Sequence, residues 1–194
     1  MSTLSLHLRR SLVAVLAFTT FFGFVYALAG TGVAQLLFRH QADGSVTAGG
    51  STLIGQNWNG YKTGVIVDPQ WFHGRPDADN PLVANGKAGE SAASNLGPRS
   101  KVLVTDVRRL ARAWHRVGVD PTPDLVTTSG SGLDPDISPQ DARAQIPMVA
   151  RATGIAPSRL RALVSRQASG PELGFLGSST VNVLQLNEAL AKLR

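Results

Sequence analysis

The residues of this chain that could do chemistry sit in a few short phrases. Ser129 to Asp134, SGSGLD, sets two serines among glycines and ends on a carboxylate. Ser129 or Ser131 could serve as a nucleophile only with a histidine to take the proton and an acid to orient that histidine. His115 exists, yet nothing in the spacing brings it near. Successive Ser and Gly residues can instead turn backbone N–H groups towards a phosphate, or supply the conformational freedom of a tight turn. Asp134, Asp136 and Asp141 suggest a cation site, but Pro135 separates the first two and the calcium-loop pattern with its Gly and distal Glu is missing. Turn and cap roles are therefore expected for them. His73, in the phrase WFHGRP, lacks a second metal ligand nearby in sequence, and Arg75 reads as a hydrogen-bonding hub rather than a catalytic cation. With no Cys there is no thiolate metal site, cysteine nucleophile or disulfide. A GxxxxGK[ST] phosphate loop is also absent from the sequence.

Such residues need a frame, and the clearest part of it is helical. Leu103, Val107, Leu110, Trp114 and Val117 recur in steps of four and three, predicting a helix from Lys101 to Val117 that ends at Gly118. Arg108, Arg109, Arg112 and Arg116 fall mostly off that stripe, as a solvated basic face would. Ser138-Pro139 predicts a cap and a first-turn proline for a helix carrying Ala142, Ile146, Val149 and Ala150 and ending at Gly154; Pro147 within it predicts a kink or a shortened start. Two more helices are expected, Pro157 to Gln167 and Val183 to Leu193. Thr52 to Ile54 and Val65 to Val67 are short apolar runs parted by Gly and Asn, a strand and turn pattern. Asp77 to Ser100 shows no period and reads as a long loop. The expected class is α+β, with one small mixed domain over residues 51–194.

Before that domain, Ser11 to Phe38 run for 28 residues without a charge, after Arg9 and Arg10 and before Arg39 and His40. At about 1.5 Å per residue this could span about 42 Å, more than the roughly 30 Å hydrocarbon core of a bilayer. A transmembrane helix is expected over 11–38, with residues 1–10 cytoplasmic and QADGSVTAGG, within 39–50, as a linker. A cleaved signal peptide is the alternative, since Ala27-Leu28-Ala29 fits a small-residue cleavage pattern, although the apolar run continues well beyond it. Positive residues before the span favour an inside N-terminus and an extracytoplasmic domain. Thr19, Gly23, Ala27 and Thr31 recur every four residues and would give a face small enough for close approach of a partner helix. The chain carries 19 Lys and Arg against 13 Asp and Glu, and every acid lies after residue 38. Beyond the span the arginines are dispersed among acids, which argues against a nucleic-acid partner and leaves membrane lipid and protein.

Several phrases together resemble the C subunit of potassium-transporting Kdp ATPases: Gly50 to Gln56 (GSTLIGQ), Trp71 to Pro76 (WFHGRP), Ser94 to Pro98 (SNLGP), Ser129 to Ser138 (SGSGLDPDIS) and Val181 to Asn187 (VNVLQLN). Each phrase is weak alone, but their order, their spacing and the preceding membrane segment cover essentially the whole chain. The resemblance implies an accessory, non-catalytic subunit of the cell membrane, assembled with a potassium-conducting subunit and a P-type ATPase subunit. ATP and potassium would then act at the level of the complex, and nothing in this chain resembles the aspartyl-phosphate motif of such pumps. The family description further implies a chaperone that raises the ATP affinity of the ATPase subunit, with Ser129, Gly130, Ser131 and Gly132 as nucleotide contacts. Topology opposes this, because an outward domain is out of reach of cytoplasmic ATP. Two rivals remain open: a secreted or anchored hydrolase or ligand-binding domain, and a cytoplasm-facing nucleotide-binding regulator.

Overall fold

A computed structural model describes residues 3–58, 67–76 and 91–194. They form two compact units that part between Val46 and Thr47. The first is a long apolar helix and its short continuation. Helix α1 (Thr3–Thr20) passes through a π-helical turn (Phe21–Val25) into α2 (Tyr26–Leu37), and α3 (Arg39–Ala42) follows. Thr3 to Leu37 make a continuous helix of 35 residues, long and apolar enough to cross a membrane. It begins well before the charge-free run, so His7, Arg9 and Arg10 lie on its first turns. Four α-helical residues advance slightly more than one turn, which makes a four-residue stripe drift around the helix. The wider π turn takes up more residues per turn and offsets that drift between Thr19 and Ala27. Thr31 donates its hydroxyl to the Ala27 carbonyl at 2.9 Å, which satisfies its polar group within the helix.

The second unit mixes helices with short strands. A hairpin of β1 (Val46–Thr47) and β2 (Gly50–Ser51) leads in. Glu188 ties down the segment read as a linker: its Oε1 accepts from the Thr47 hydroxyl at 2.8 Å and the Gly49 N–H at 3.0 Å. Helix α4 (Lys101–Arg116) starts at Ser100, whose hydroxyl accepts from the Leu103 N–H, and stops before Gly118 at φ +74°. Leu110 and Trp114 of its apolar stripe are buried, while Arg108, Arg112 and Arg116 are exposed. After a 3-10 turn (Pro123–Leu125) come β3 (Asp136–Ile137), α5 (Pro139–Thr153), α6 (Pro157–Gln167), β4 (Ala168–Ser169), β5 (Thr180–Asn182) and α7 (Val183–Ala191). The three later strands form an antiparallel sheet in the order β3-β5-β4, with Ile137 opposite Val181 and Ala168 opposite the same residue. Helix α5 packs on α6, α6 on α7, and all three on β5. Ile146, Val149, Leu160, Val164, Val181, Leu186 and Leu190 fill the space between them.

Two expectations are corrected. Thr52 to Ile54 is turn and bend rather than strand, because the chain there is pinned crosswise: the Gly55 N–H donates to the Leu133 carbonyl and Thr52 O accepts from Asn182 Nδ2. Of the kink or shortened start expected of Pro147, the shortened start does not occur, since α5 runs from Pro139 through it to Thr153. Pro147 lies on the exposed side of the helix with Arg143, so the carbonyl it cannot serve faces water. The apolar residues Val65 and Ile66, and residues 77–90 of the expected long loop, lie outside the described residues.

The start of α5 is a full capping box: Ser138 Oγ accepts from the Asp141 N–H, and Asp141 Oδ2 accepts from the Ser138 N–H. Ser138→Ala is expected to cost about 1 kcal/mol, read as a lower urea midpoint with an unchanged slope. An unaltered midpoint would contradict the cap.

Candidate functional site

Four of the five phrases meet in one place, and their polar groups are largely consumed by one another. Among the described residues no strand lies beside the extended segment through Phe72 and His73. Two fully buried carboxamides take that place. Asn187 Oδ1 accepts from the Phe72 N–H at 3.0 Å while its Nδ2 donates to the Phe72 carbonyl at 2.8 Å. Gln145 does the same for His73, with Oε1 accepting at 2.8 Å and Nε2 donating at 2.9 Å. Each amide thus presents the donor and acceptor pair that a neighbouring strand would offer. Sequence reading missed both residues, although each is a polar position inside an apolar helix stripe, Gln145 beside Ile146 and Asn187 beside Leu186. That signal marks a buried polar group in need of partners without saying where the partners are.

The His73 ring lies edge-on to Trp114 at 5.7 Å between centroids and hydrogen bonds through Nε2 to the Asp68 carbonyl at 2.7 Å. Burial disfavours its charged form and lowers its pKa from 6.5 to about 4, only partly opposed by the Asp68 carbonyl and charge. The neutral ring is a structural donor. Since the unfolded chain binds this proton near pH 6.5 and the folded chain only near 4, the contribution is complete above pH 6.5 and drains away as the pH falls through that window. Its ceiling is about 3 kcal/mol. Unfolding of wild type should steepen in its pH dependence between 6.5 and 4, and His73→Gln should flatten it; identical profiles would contradict the assignment.

Arg75 is the expected hub. Its guanidinium pairs with Asp124 at 3.0 Å and donates to the Thr128 carbonyl at 3.3 Å, fixing the approach to SGSGLD. Within that segment Ser129 Oγ accepts from the Gly132 N–H at 2.9 Å, and Ser131 Oγ accepts from the Leu133 N–H at 3.2 Å. Ser91 donates to the Ser131 carbonyl at 2.9 Å. Gly132 stands at φ +68°, and a Cβ there would collide with the Ala92 carbonyl oxygen, whereas a Cβ on Gly130 would meet nothing within 4 Å among the described residues. His115 is exposed on α4, and Ser129 is engaged with Ser131 and Gly132 instead.

The carboxylates are dispersed in the same way. Asp141 accepts from Ser138 and from the Thr122 hydroxyl, Asp136 from Asn182 Nδ2, and Asp134 from the Asp136 N–H. Where the phrases meet, Gly55, His73, Arg75, Trp114, Asp134 and Val183 line a cavity of about 40 Å³. That is room for a water or two, against the several hundred Å³ typical of a small-molecule site. Among the described residues no cluster of three His, Asp or Glu side chains is placed to hold a metal ion. The small-residue face of Thr19, Gly23, Ala27 and Thr31 lies in the other unit, fully on the surface of its helix.

Residues 8–192 match the family model described as KdpC: K+-transporting ATPase, c chain. The chain is 45% identical over 192 residues to the Potassium-transporting ATPase KdpC subunit of Caulobacter vibrioides (strain NA1000 / CB15N), covering 95% of this chain and 92% of that protein. It is also 45% identical over 193 residues to the protein of the same name from Sorangium cellulosum (strain So ce56), covering 95% and 96%. A third, from Methylorubrum populi (strain ATCC BAA-705 / NCIMB 13946 / BJ001), is 43% identical over 203 residues, covering 96% and 97%. A match this complete, on a chain with one long apolar helix followed by a small mixed domain, means that the protein belongs to the KdpC family of K+-transporting ATPase c chains.

Proposed function

We propose that this chain is an accessory subunit of a Kdp-type potassium uptake complex, holding together a potassium-conducting subunit and a P-type ATPase subunit. The observation that carries the reading is the family match over nearly the whole chain. Its helix spans the membrane with Arg9 and Arg10 inside, and the domain that follows stands outside, docked on the outward face of the potassium-conducting subunit. ATP hydrolysis is the work of another chain. The family description of a chaperone that raises ATP affinity finds little support in the geometry, since the hydroxyls of Ser129 and Ser131 already occupy the N–H groups of Gly132 and Leu133. A secreted hydrolase is disfavoured by the same engagement of the candidate nucleophile.

Affinity isolation of the tagged chain from membranes in mild detergent tests the proposal. Co-isolation of the two larger subunits in fixed ratio is expected; recovery of the chain alone would overturn it. The membrane helix is expected to contact a partner through Gly23 and Ala27. A Cβ at Gly23 meets nothing within 4 Å among the described residues, so Gly23→Leu should leave the chain itself folded while lowering recovery of the intact complex several-fold. Unchanged recovery would remove that face from the assembly.

A further inference from the structure

Helix α4 carries a basic face that the packing of the domain does not use. Lys101, Thr105, Arg108, Arg112, His115 and Arg116 are all exposed. At about 100° per residue they share an arc of about 100°, on the side away from the buried Leu110 and Trp114. The face is about 22 Å long. Asp106 is the one acid of the helix, and outside that arc it pairs with Arg109 at 2.8 Å. Among the described residues no carboxylate lies within ion-pair distance of Lys101, Arg108, Arg112 or Arg116. The helix dipole favours Arg116 in the last turn, but it disfavours Lys101 in the first. Beside the stripe, Val102 and Val104 are 58% and 39% exposed. A solvated surface usually mixes its charges. A face of one sign, edged with bare apolar side chains and holding a cation against its own helix dipole, is used by something outside the chain.

We infer that this face of α4 lies on anionic phosphate headgroups of the bilayer that the N-terminal helix crosses. Two observations choose the membrane over an acidic protein. The first is the tether. Residues 38–46 alone separate the end of the apolar helix from Thr47, and they reach about 30 Å at most. Glu188 holds Thr47 and Gly49 to α7, so the domain gives up no slack to lengthen them. A compact unit of the size of Thr47–Arg194 is about 40 Å across. It is wider than its tether is long, which keeps it within reach of the headgroups. The second observation is the mixture on the face. Lysine and arginine stems lie along apolar surface while their heads reach phosphate, and valines beside them suit the boundary between headgroups and acyl chains. Each basic group near an anionic surface adds to the attraction. The assignment rests on the membrane-spanning reading of Thr3 to Leu37.

The test uses the full chain in nanodiscs of phosphatidylcholine, alone or with an equimolar share of phosphatidylglycerol. Thr105→Cys puts a single thiol on the face of this cysteine-free chain, and a fluorophore attached there is quenched by spin-labelled headgroups when α4 lies on them. Quenching should be strong in the anionic discs, weak in the neutral ones, and lost as salt is raised. Arg108→Gln, Arg112→Gln and Arg116→Gln together should lower the ratio of docked to free domain about a hundredfold, at roughly fivefold for each basic group. The melting temperature should stay where it was, because all three side chains are exposed. Equal quenching in the two lipids would overturn the lipid face. So would loss of partner subunits from the triple variant with quenching unmoved, which would give the stripe to an acidic protein instead. If alkaline carbonate strips the wild-type chain from cell membranes, the membrane-spanning reading falls and the lipid face with it.

Discussion

Asn187→Leu is expected to destabilise the domain by about 4 kcal/mol, a large share of the roughly 5–15 kcal/mol that holds a domain of this size together. The side chain is fully buried, and its loss strands both the N–H and the carbonyl of Phe72 in a site closed to water. Each stranded group costs about 1–3 kcal/mol, while leucine restores only apolar volume. Gln145→Leu should act alike through His73. The two variants share one short segment of backbone, so their combined effect should fall short of the sum. Urea unfolding of the full-length protein in detergent micelles measures this. A loss under about 1 kcal/mol for either variant would mean that the amides are not what holds the segment.

The second large effect belongs to Gly132. Any side chain there meets two penalties: the left-handed backbone at φ +68° and a collision of its Cβ with the Ala92 carbonyl oxygen, which is backbone and cannot swing away. Gly132→Val, β-branched as well, should cost about 3 kcal/mol or more and lower the yield of assembled complex. Gly130 is the control within the same phrase, exposed, with no described residue within 4 Å of a Cβ built on it. Gly130→Ala should change stability by less than about 0.5 kcal/mol and leave the ATP requirement of the assembled pump where it was. If the phrase contacted nucleotide, the exposed glycine would be the sensitive one in ATP titrations, and the ranking of the two variants would reverse.

Legibility in the sequence followed the range of the interactions. Helices α4 to α7 were readable because their signals are local: apolar steps of three and four, Ser138 ahead of Pro139, and glycines at 118 and 154 where the backbone turns left-handed. The strands were not, since β3, β4 and β5 are two or three residues long and too short to alternate. At Thr52 to Ile54 a strand-like composition lost to a tertiary constraint, the close crossing of Gly55 over Asp134, where a Cβ would lie 2.6 Å from the Asp134 carbonyl oxygen. The clasp on Phe72 joins residues 115 apart in the chain, and no periodicity reports a contact of that separation. The phrases that carried the family resemblance did mark the junction, yet they marked it as a place of folding: WFHGRP and VNVLQLN hold each other, and SGSGLD closes on its own hydroxyls.

The most direct test of an outward-facing scaffold is where that junction sits when the complex is whole. Because the chain has no cysteine, Ser131→Cys places a single thiol on an exposed residue of the contested segment. In intact cells bearing the assembled complex, a membrane-impermeant thiol reagent added outside should label it without prior permeabilisation, and the ATP concentration needed for half-maximal hydrolysis by the purified complex should match wild type. Labelling only after the cytoplasmic face is opened, joined to a selective rise in that ATP concentration, would contradict the account and put the domain beside the nucleotide.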